Sequence, residues 1–111
     1  MKISNRLLLA ACLVLPFLGA CKKQEAAQET AKAAVTIDHI SGGRLDVGMG
    51  AGWYEREHLS HGFPFLDAKG RFDLFAEQVE VVVRSWTEER FDHAGPAYEL
   101  RDQAALPRPL Q

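Results

Sequence analysis

The side chains best suited to chemistry lie in one short stretch of the sequence. Glu57 and His58 are adjacent, and His61 follows a few positions later. Two imidazoles at this separation could chelate a metal ion, but the order differs from the H-E-x-x-H pattern, which sets a general base between two helical ligands. We therefore predict no metal site and interpret the stretch as a solvated loop. Chelation by the two histidines, or a substrate-side or cofactor-side role for Glu57 or His58, remains open.

A glycine-rich segment precedes these residues. Over residues 44–50, apolar side chains alternate with small or acidic ones, which predicts a strand with Leu45, Val47 and Met49 on one face and Asp46, Gly48 and Gly50 on the other. Glycine is a poor strand residue unless another group approaches the backbone, so we expect something flat or bulky on the glycine face and Met49 in the core. The run is not a dinucleotide-binding loop, because Trp53 stands where a third glycine is required and no helix starts there.

The remaining elements can be predicted from periodicity and caps. Residues 35–40 resemble the last turn of a helix that Ser41, Gly42 and Gly43 terminate. Residues 53–66 are predicted to be a loop. Asp67 is a plausible N-cap for a helix over about 69–87, whose apolar stripe comprises Phe72, Phe75, Val79, Val82, Val83 and Trp86 and whose opposite face carries Asp73, Glu77, Glu80, Arg84 and Glu88. Residues 91–93 and 97–100, around Gly95 and Pro96, predict a small hairpin.

The N-terminus has the features of an export signal. Lys2 and Arg6 precede an uncharged run from Leu7 to Ala20, which Pro16 interrupts. This run is shorter than the roughly 20 residues that a membrane-spanning helix needs, and it matches the apolar region of a secretory signal peptide. Leu18-Gly19-Ala20-Cys21 resembles the lipobox of bacterial lipoproteins. Residues 1–20 are therefore predicted to be a signal helix, with lipid attached to Cys21; an ordinary signal peptide, an uncleaved anchor or a misplaced start codon are the alternatives.

This assignment sets the location, the cysteine chemistry and the charge. The mature chain would be anchored to a membrane of the cell envelope through Cys21, and Lys22 is compatible with the outer membrane where a cell has two. Cys12 leaves with the signal peptide, so no disulfide is expected. Residues 21–34 are predicted to be a polar, solvated tether before a domain over 35–111. The mature net charge of about −4 makes a nucleic-acid partner a poor expectation.

Several motifs together resemble one family, the luciferase-like monooxygenases. The resemblance begins with Ile37-Asp38-His39-Ile40-Ser41-Gly42-Gly43-Arg44-Leu45 and Val47-Gly48-Met49-Gly50-Ala51-Gly52-Trp53. It continues through Glu57, Gly62-Phe63-Pro64-Phe65, Arg71-Phe72-Asp73, Trp86-Thr87, Phe91, Gly95 and Tyr98, and ends at Pro107-Arg108-Pro109-Leu110-Gln111. It covers about residues 33–111.

The resemblance implies an α/β fold of the TIM-type (β/α) barrel class and an oxidoreductase that acts on paired donors, with incorporation or reduction of dioxygen. It implies FMN or the related deazaflavin coenzyme as the cofactor, at the C-terminal mouth of the strands, where Gly48, Gly50, Ala51 and Gly52 would line its site. Catalytic residues, the substrate and the choice between the two cofactors cannot be inferred.

The chain departs from the family in length and in its leader. A closed barrel typically takes about 250 residues, whereas this sequence has 111. We therefore expect a partial barrel, with one barrel strand, one long helix and a small hairpin, that has no turnover alone. Its partner would be the missing barrel portion or an unidentified protein. The leader is foreign to a family that works mostly in the cytoplasm. The alternative function is a small lipid-anchored envelope protein with a binding or structural role.

Overall fold

The computed structural model describes residues 26–104 and 106–111. They form three helices and a hairpin: α1 over residues 26–41, α2 over Glu55–Ser60, α3 over Ala68–Thr87, β1 over Arg90–Ala94 and β2 over Glu99–Ala104. The predicted signal helix and the lipid site at Cys21 lie outside the described residues. The described chain is an α/β unit with one long helix and a two-stranded antiparallel sheet, consistent with part of a (β/α) barrel.

Helix α3 begins and ends where its sequence signals indicate. The Asp67 side chain accepts a hydrogen bond of 2.7 Å from the Gly70 N–H, which satisfies one of the free amides of the first turn. The predicted helix over about 69–87 is thereby confirmed. Its most buried face is carried by Val81, Val82 and Ser85.

The predicted apolar stripe of α3 is only partly buried. Phe72 is 64% exposed and Val83 is 45% exposed, so these members of the stripe remain in water. Val82 from the stripe joins Val81 and the hairpin residues Phe91, Tyr98 and Leu100 in the core cluster. The difference arises because apolar side chains extend around more of α3 than the elements of the described chain can cover.

The hairpin is confirmed, with its second strand later in the sequence than predicted. Strands β1 and β2 pair with Arg90 opposite Ala104 and Ala94 opposite Glu99, and the register shifts between Phe91 and His93. We refer to residues 67–104, which hold α3 and both strands, as the hairpin–helix unit.

Helix α1 begins within the predicted tether and continues through residue 34. Ala27 and Ala31 are each only 3% exposed, and the Trp86 indole N–H donates to the Ala31 carbonyl oxygen at 3.1 Å. One face of residues 26–34 is therefore buried, because the methyl side chains of alanine let the helix approach α3 closely, while Glu29, Thr30 and Lys32 on the other face are solvated. The expected stop is confirmed by positive φ values at Gly42 and Gly43 and by a hydrogen bond of 2.8 Å from the Gly43 N–H to the Asp38 carbonyl.

The strand predicted over residues 44–50 does not form. The described residues contain no strand there, and no neighbouring strand lies beside the segment to pair with it. Met49 is 37% exposed, so its expected place in the core is also wrong. The predicted loop over 53–66 contains the six-residue helix α2, which is too short to give a periodic signal. We refer to residues 44–66 as the open segment. Among the described helices, none combines the length and apolar character needed to cross a bilayer.

Candidate functional site

The glycines predicted to line a cofactor site face two different surroundings. A Cβ atom added at Gly48 or Gly50 would meet nothing within 4 Å, so the backbone is open at both positions. At Gly52, which has a φ of +74°, an added Cβ would lie 2.5 Å from the His58 imidazole. His58 therefore packs directly against this glycine, and a side chain at position 52 would displace it.

A cavity of about 250 Å³ lies beside these glycines. Its lining includes Gly50, Ala51, Gly52, His58, Phe63 and Arg71. The structure thus brings three of the four predicted cofactor residues to one cavity and leaves Gly48 outside its lining. Their role in binding stays a prediction.

His58 and Arg71 line the cavity together with the glycines, and Phe65 contacts both of them. The His58 Nδ1 donates to the Tyr54 carbonyl at 3.0 Å, and its ring meets the Phe65 ring edge-on at a centroid separation of 5.1 Å. The Arg71 guanidinium lies 4.2 Å from the Phe65 centroid and donates to the Leu66 carbonyl at 2.5 Å. These contacts join the start of α2 to Phe65 and to Arg71 of α3, and Arg71 places a positive charge at the cavity.

Each histidine of the pair bonds a backbone carbonyl through its Nδ1, and the absence of a metal there stays a prediction. The His61 Nδ1 donates to the Glu57 carbonyl at 2.9 Å, while His58 is bonded to Tyr54 one turn earlier. Within residues 26–104 and 106–111, no group of three or more histidine, cysteine or acidic side chains could hold a metal ion. Glu57 is exposed, and it lines a separate small cavity with His58, His61 and Phe63.

Glu77 is the polar residue that sequence reasoning missed. It was expected on the solvent face of α3, yet its side chain is only 10% exposed. Its carboxylate accepts hydrogen bonds from the Tyr98 N–H at 2.9 Å, the Ala97 N–H at 3.0 Å and the His93 Nε2 at 3.0 Å. A Cβ atom at Gly95 would collide with this carboxylate. The three donors therefore hold the hairpin turn on α3, and glycine at position 95 was the signal available in the sequence.

Tyr98 is the most deeply buried aromatic residue of the core. It is 0% exposed, and its hydroxyl oxygen accepts a hydrogen bond of 2.9 Å from the Gln78 side-chain amide. Burial raises the pKa of the Tyr98 hydroxyl; the hydrogen bond from Gln78 opposes this shift and the charge of Glu77 adds to it. The phenol is therefore held in its neutral form.

Asp38 holds the last residues of the chain against the end of α1. It is 2% exposed, and its carboxylate accepts hydrogen bonds from the Leu110 N–H at 2.7 Å and from the Gln111 side-chain amide at 3.0 Å. The same Gln111 amide donates to the Leu45 carbonyl at 2.7 Å. Residues 110–111 consequently lie beside the start of the open segment.

Comparison with known proteins identifies the family. The profile of the luciferase-like monooxygenases matches residues 27–111, which include α1, the open segment and the hairpin–helix unit. The chain belongs to the luciferase-like monooxygenase family. The match begins inside α1, ahead of the domain start predicted at residue 35.

Individual members of the family resemble the chain over most of its length. An FMNH(2)-dependent dimethylsulfone monooxygenase of Pseudomonas putida is 33% identical over 73% of this chain, which is 22% of that protein. A pyrimidine monooxygenase of Klebsiella pneumoniae is 37% identical over 73% of this chain and 23% of its own length. An uncharacterised protein of Mycobacterium tuberculosis is 30% identical over 98% of this chain and 36% of its own length. The chain therefore spans between about a fifth and about a third of these luciferase-like relatives.

The name of the Pseudomonas relative includes a reduced flavin, FMNH(2), so the cavity and its lining can be compared with the size and shape of a flavin. The open backbone at Gly48 and Gly50 fits one face of a planar ring, and Arg71 offers one positive charge near it. The cavity of about 250 Å³ lies below the range of roughly 300–1,000 Å³ that is usual for ligand pockets. The described residues of this luciferase-like chain thus fit one wall of a flavin site and do not fit the whole cofactor.

Proposed function

We propose that the chain is one segment of a flavin-dependent monooxygenase barrel and has no turnover by itself. The observation that carries this proposal is the open glycine segment, since Gly48 and Gly50 present bare backbone with nothing opposite it. Membership of the luciferase-like family supports the reaction class, and the share of each relative that the chain covers supports the incomplete barrel. The reaction class is oxidoreduction on paired donors with incorporation or reduction of dioxygen.

In a completed barrel, Gly48, Gly50, Ala51 and Gly52 would lie against the cofactor, and bound reduced flavin would supply the electrons for dioxygen. The residues of this chain would shape the surface beside the cofactor more than they would take part in the reaction. Bare backbone admits a flat ring, and the Gly52–His58 contact fixes where the open surface ends. The deazaflavin coenzyme, which moves a hydride, would lie against the same bare backbone, so both cofactors enter the titration below.

The test is a titration of the full chain with reduced FMN and, separately, with the reduced deazaflavin coenzyme under anaerobic conditions. We expect no saturable binding by either cofactor in the micromolar range, because one wall leaves most of a ring in water. The Pseudomonas dimethylsulfone monooxygenase serves as the positive control. Micromolar binding by this chain alone, followed by substrate-dependent oxidation, would contradict the proposal.

We also propose that the mature chain is anchored to the cell envelope through lipid on Cys21. Support comes from the sequence Leu18-Gly19-Ala20-Cys21 behind a basic and apolar leader. The match to the mycobacterial relative extends over most of the same leader, so the attachment of lipid to Cys21 has to be measured directly. Growth with a radiolabelled fatty acid should label the wild-type chain and the matched control Cys12→Ala. Cys21→Ala should lose the label, and a labelled Cys21→Ala chain would refute the anchor.

A further inference from the structure

The second half of the open segment exposes a group of large apolar side chains. Trp53 is 83% exposed, and its ring lies 5.5 Å from that of Tyr54, centroid to centroid. Leu59 and Phe63 are also exposed. Tryptophan and tyrosine, with an apolar body and a polar tip, are enriched where protein meets the headgroup region of a bilayer. We refer to Trp53, Tyr54, Leu59 and Phe63 as the interfacial patch.

The interfacial patch lies at the N-terminal end of α1. Ala26, the first residue of that helix, lines the same cavity as Gly52 and Phe63, and Trp53 follows Gly52 directly. The far end of α1 exposes a different apolar side chain, Ile40. At about 1.5 Å of rise per residue, Ile40 lies about 21 Å along the helix from Ala26. The two ends of α1 therefore mark two separate apolar surfaces.

The lipid proposed for Cys21 would be attached near the end that carries the interfacial patch. Cys21 is five residues before Ala26, so the chain between them spans at most about 18 Å when fully extended. Covalent reach thus keeps the Ala26 end of α1 close to any bilayer that holds the lipid. Ile40, a further helix length away, is under no such restriction.

We propose that the interfacial patch inserts into the headgroup region of the bilayer that holds the lipid on Cys21. The inference rests on the proposed lipid anchor and does not depend on the barrel proposal. Charge contributes little to this contact, because α2 carries Glu55 and Glu57 against Arg56. The patch should therefore bind an uncharged lipid surface, through burial of apolar area at the interface.

The test uses the lipidated mature chain, reconstituted on the outside of phosphatidylcholine vesicles whose acyl chains carry bromine. Bromine quenches a tryptophan that it contacts. Trp86, whose indole N–H bonds to the Ala31 carbonyl oxygen, serves as the reference, and the difference between wild type and Trp53→Ser reports Trp53 alone. We expect Trp53 emission to shift to shorter wavelengths and to be quenched most by bromine near the headgroups, since interfacial side chains insert about 5–10 Å.

The matched control moves the reporter to the other end of α1. Ile40→Trp in a Trp53→Ser background places an indole at a position that is 81% exposed in the wild type, close to the 83% of Trp53. This indole should keep its emission wavelength and escape quenching. Equal quenching at both positions would overturn the inference, as would an unquenched Trp53 on a chain that floats with the vesicles. An unquenched Trp53 with shifted emission and a cross-linked dimer would instead assign the patch to a second copy.

The outcomes separate this inference from the proposed anchor. A chain that incorporates the labelled fatty acid at Cys21 and floats with vesicles, but whose Trp53 is not quenched, rejects the interfacial patch and leaves the anchor in place. A chain that incorporates no label rejects the anchor and, with it, the membrane contact of the patch.

Discussion

The hairpin–helix unit and the open segment contain similar kinds of side chains and treat them differently. In the hairpin–helix unit, Val81, Val82 and Tyr98 are at most 1% exposed. In the open segment, Trp53 is 83% exposed and Phe63 is 50% exposed. Burial depends on the number of elements within reach: two strands and α1 pack against α3, whereas the open segment has helices on one face only.

The difference shows which part of the family fold can be satisfied locally. The contacts of Glu77 and Tyr98 join residues that lie within about one helix and one hairpin of each other. No strand of the described chain lies beside the open segment, and its Trp53, Tyr54 and Phe63 side chains are exposed. Substitutions should consequently have large effects in the hairpin–helix unit and small effects in the open segment.

The largest effect is expected at Glu77. Glu77→Ala would leave the Ala97 and Tyr98 amides and the His93 imidazole without their acceptor, and we expect the free energy of unfolding to fall by about 3 kcal/mol. Urea unfolding followed by circular dichroism measures the loss. The matched control is Glu80→Ala, one turn later with a 56% exposed side chain, which should cost under about 1 kcal/mol. Equal losses in both variants would show that the carboxylate of Glu77 does not hold the turn.

A smaller effect is expected at Asp38. Asp38→Ala removes the acceptor for the Leu110 N–H and the Gln111 amide, and we expect a loss of about 2 kcal/mol. Hydrogen exchange should accelerate at residue 110 and remain unchanged at the Tyr98 amide. If exchange at residue 110 is unaffected, the end of the chain is held by other contacts.

Tyr98 predicts a specific dependence of stability on pH. Its folded pKa is raised above the ordinary value near 10, so above that pH the unfolded chain releases a proton that the folded chain retains. Stability should be unaffected by this group below pH 10 and should fall as the pH rises from there toward the folded pKa. Tyr98→Phe removes the hydrogen bond to Gln78, so the free energy of unfolding near neutral pH should fall by about 1 kcal/mol. The variant should also lack the decline in stability at alkaline pH that is attributed to Tyr98. An identical alkaline decline in the variant would assign it to other groups.

The smallest effect is expected in the open segment. Trp53→Ser replaces a large aromatic residue that is 83% exposed, and the free energy of unfolding should change by less than about 0.5 kcal/mol. Val81→Ala, a smaller change at a 0% exposed position, should cost about 2 kcal/mol. If Trp53→Ser lowers the free energy of unfolding by more than Val81→Ala does, Trp53 is covered and the two regions do not differ as described.

Features encoded within a few turns could be predicted from the sequence. The cap at Asp67, the helix over about 69–87 and the stop at Gly42 and Gly43 depend on neighbouring residues, and each was confirmed. The hairpin was also confirmed, although its second strand starts at Glu99, because the register shift after Phe91 cannot be read from alternation. Gly50, Ala51 and Gly52 line one cavity, whereas their predicted role in cofactor binding stays a prediction.

Features that depend on distant neighbours were predicted poorly. The strand over 44–50 has the right alternation, but a strand also needs a partner, and the described chain offers none. Glu77 lies on the face of α3 that charge patterning assigns to solvent, and only the folded turn brings three donors to it. Ala27 and Ala31 carry only methyl side chains, so no stripe of large apolar residues indicates that α1 is buried.

The Glu77 contacts also limit how this stretch of gene can be rearranged. A recombination breakpoint between the codons of residues 77 and 93 would separate the carboxylate from all three of its donors, and neither product would keep a supported turn. A breakpoint within the codons for residues 44–66 leaves the whole set on one side. The supported turn is thus kept only where residues 77–98 are inherited together.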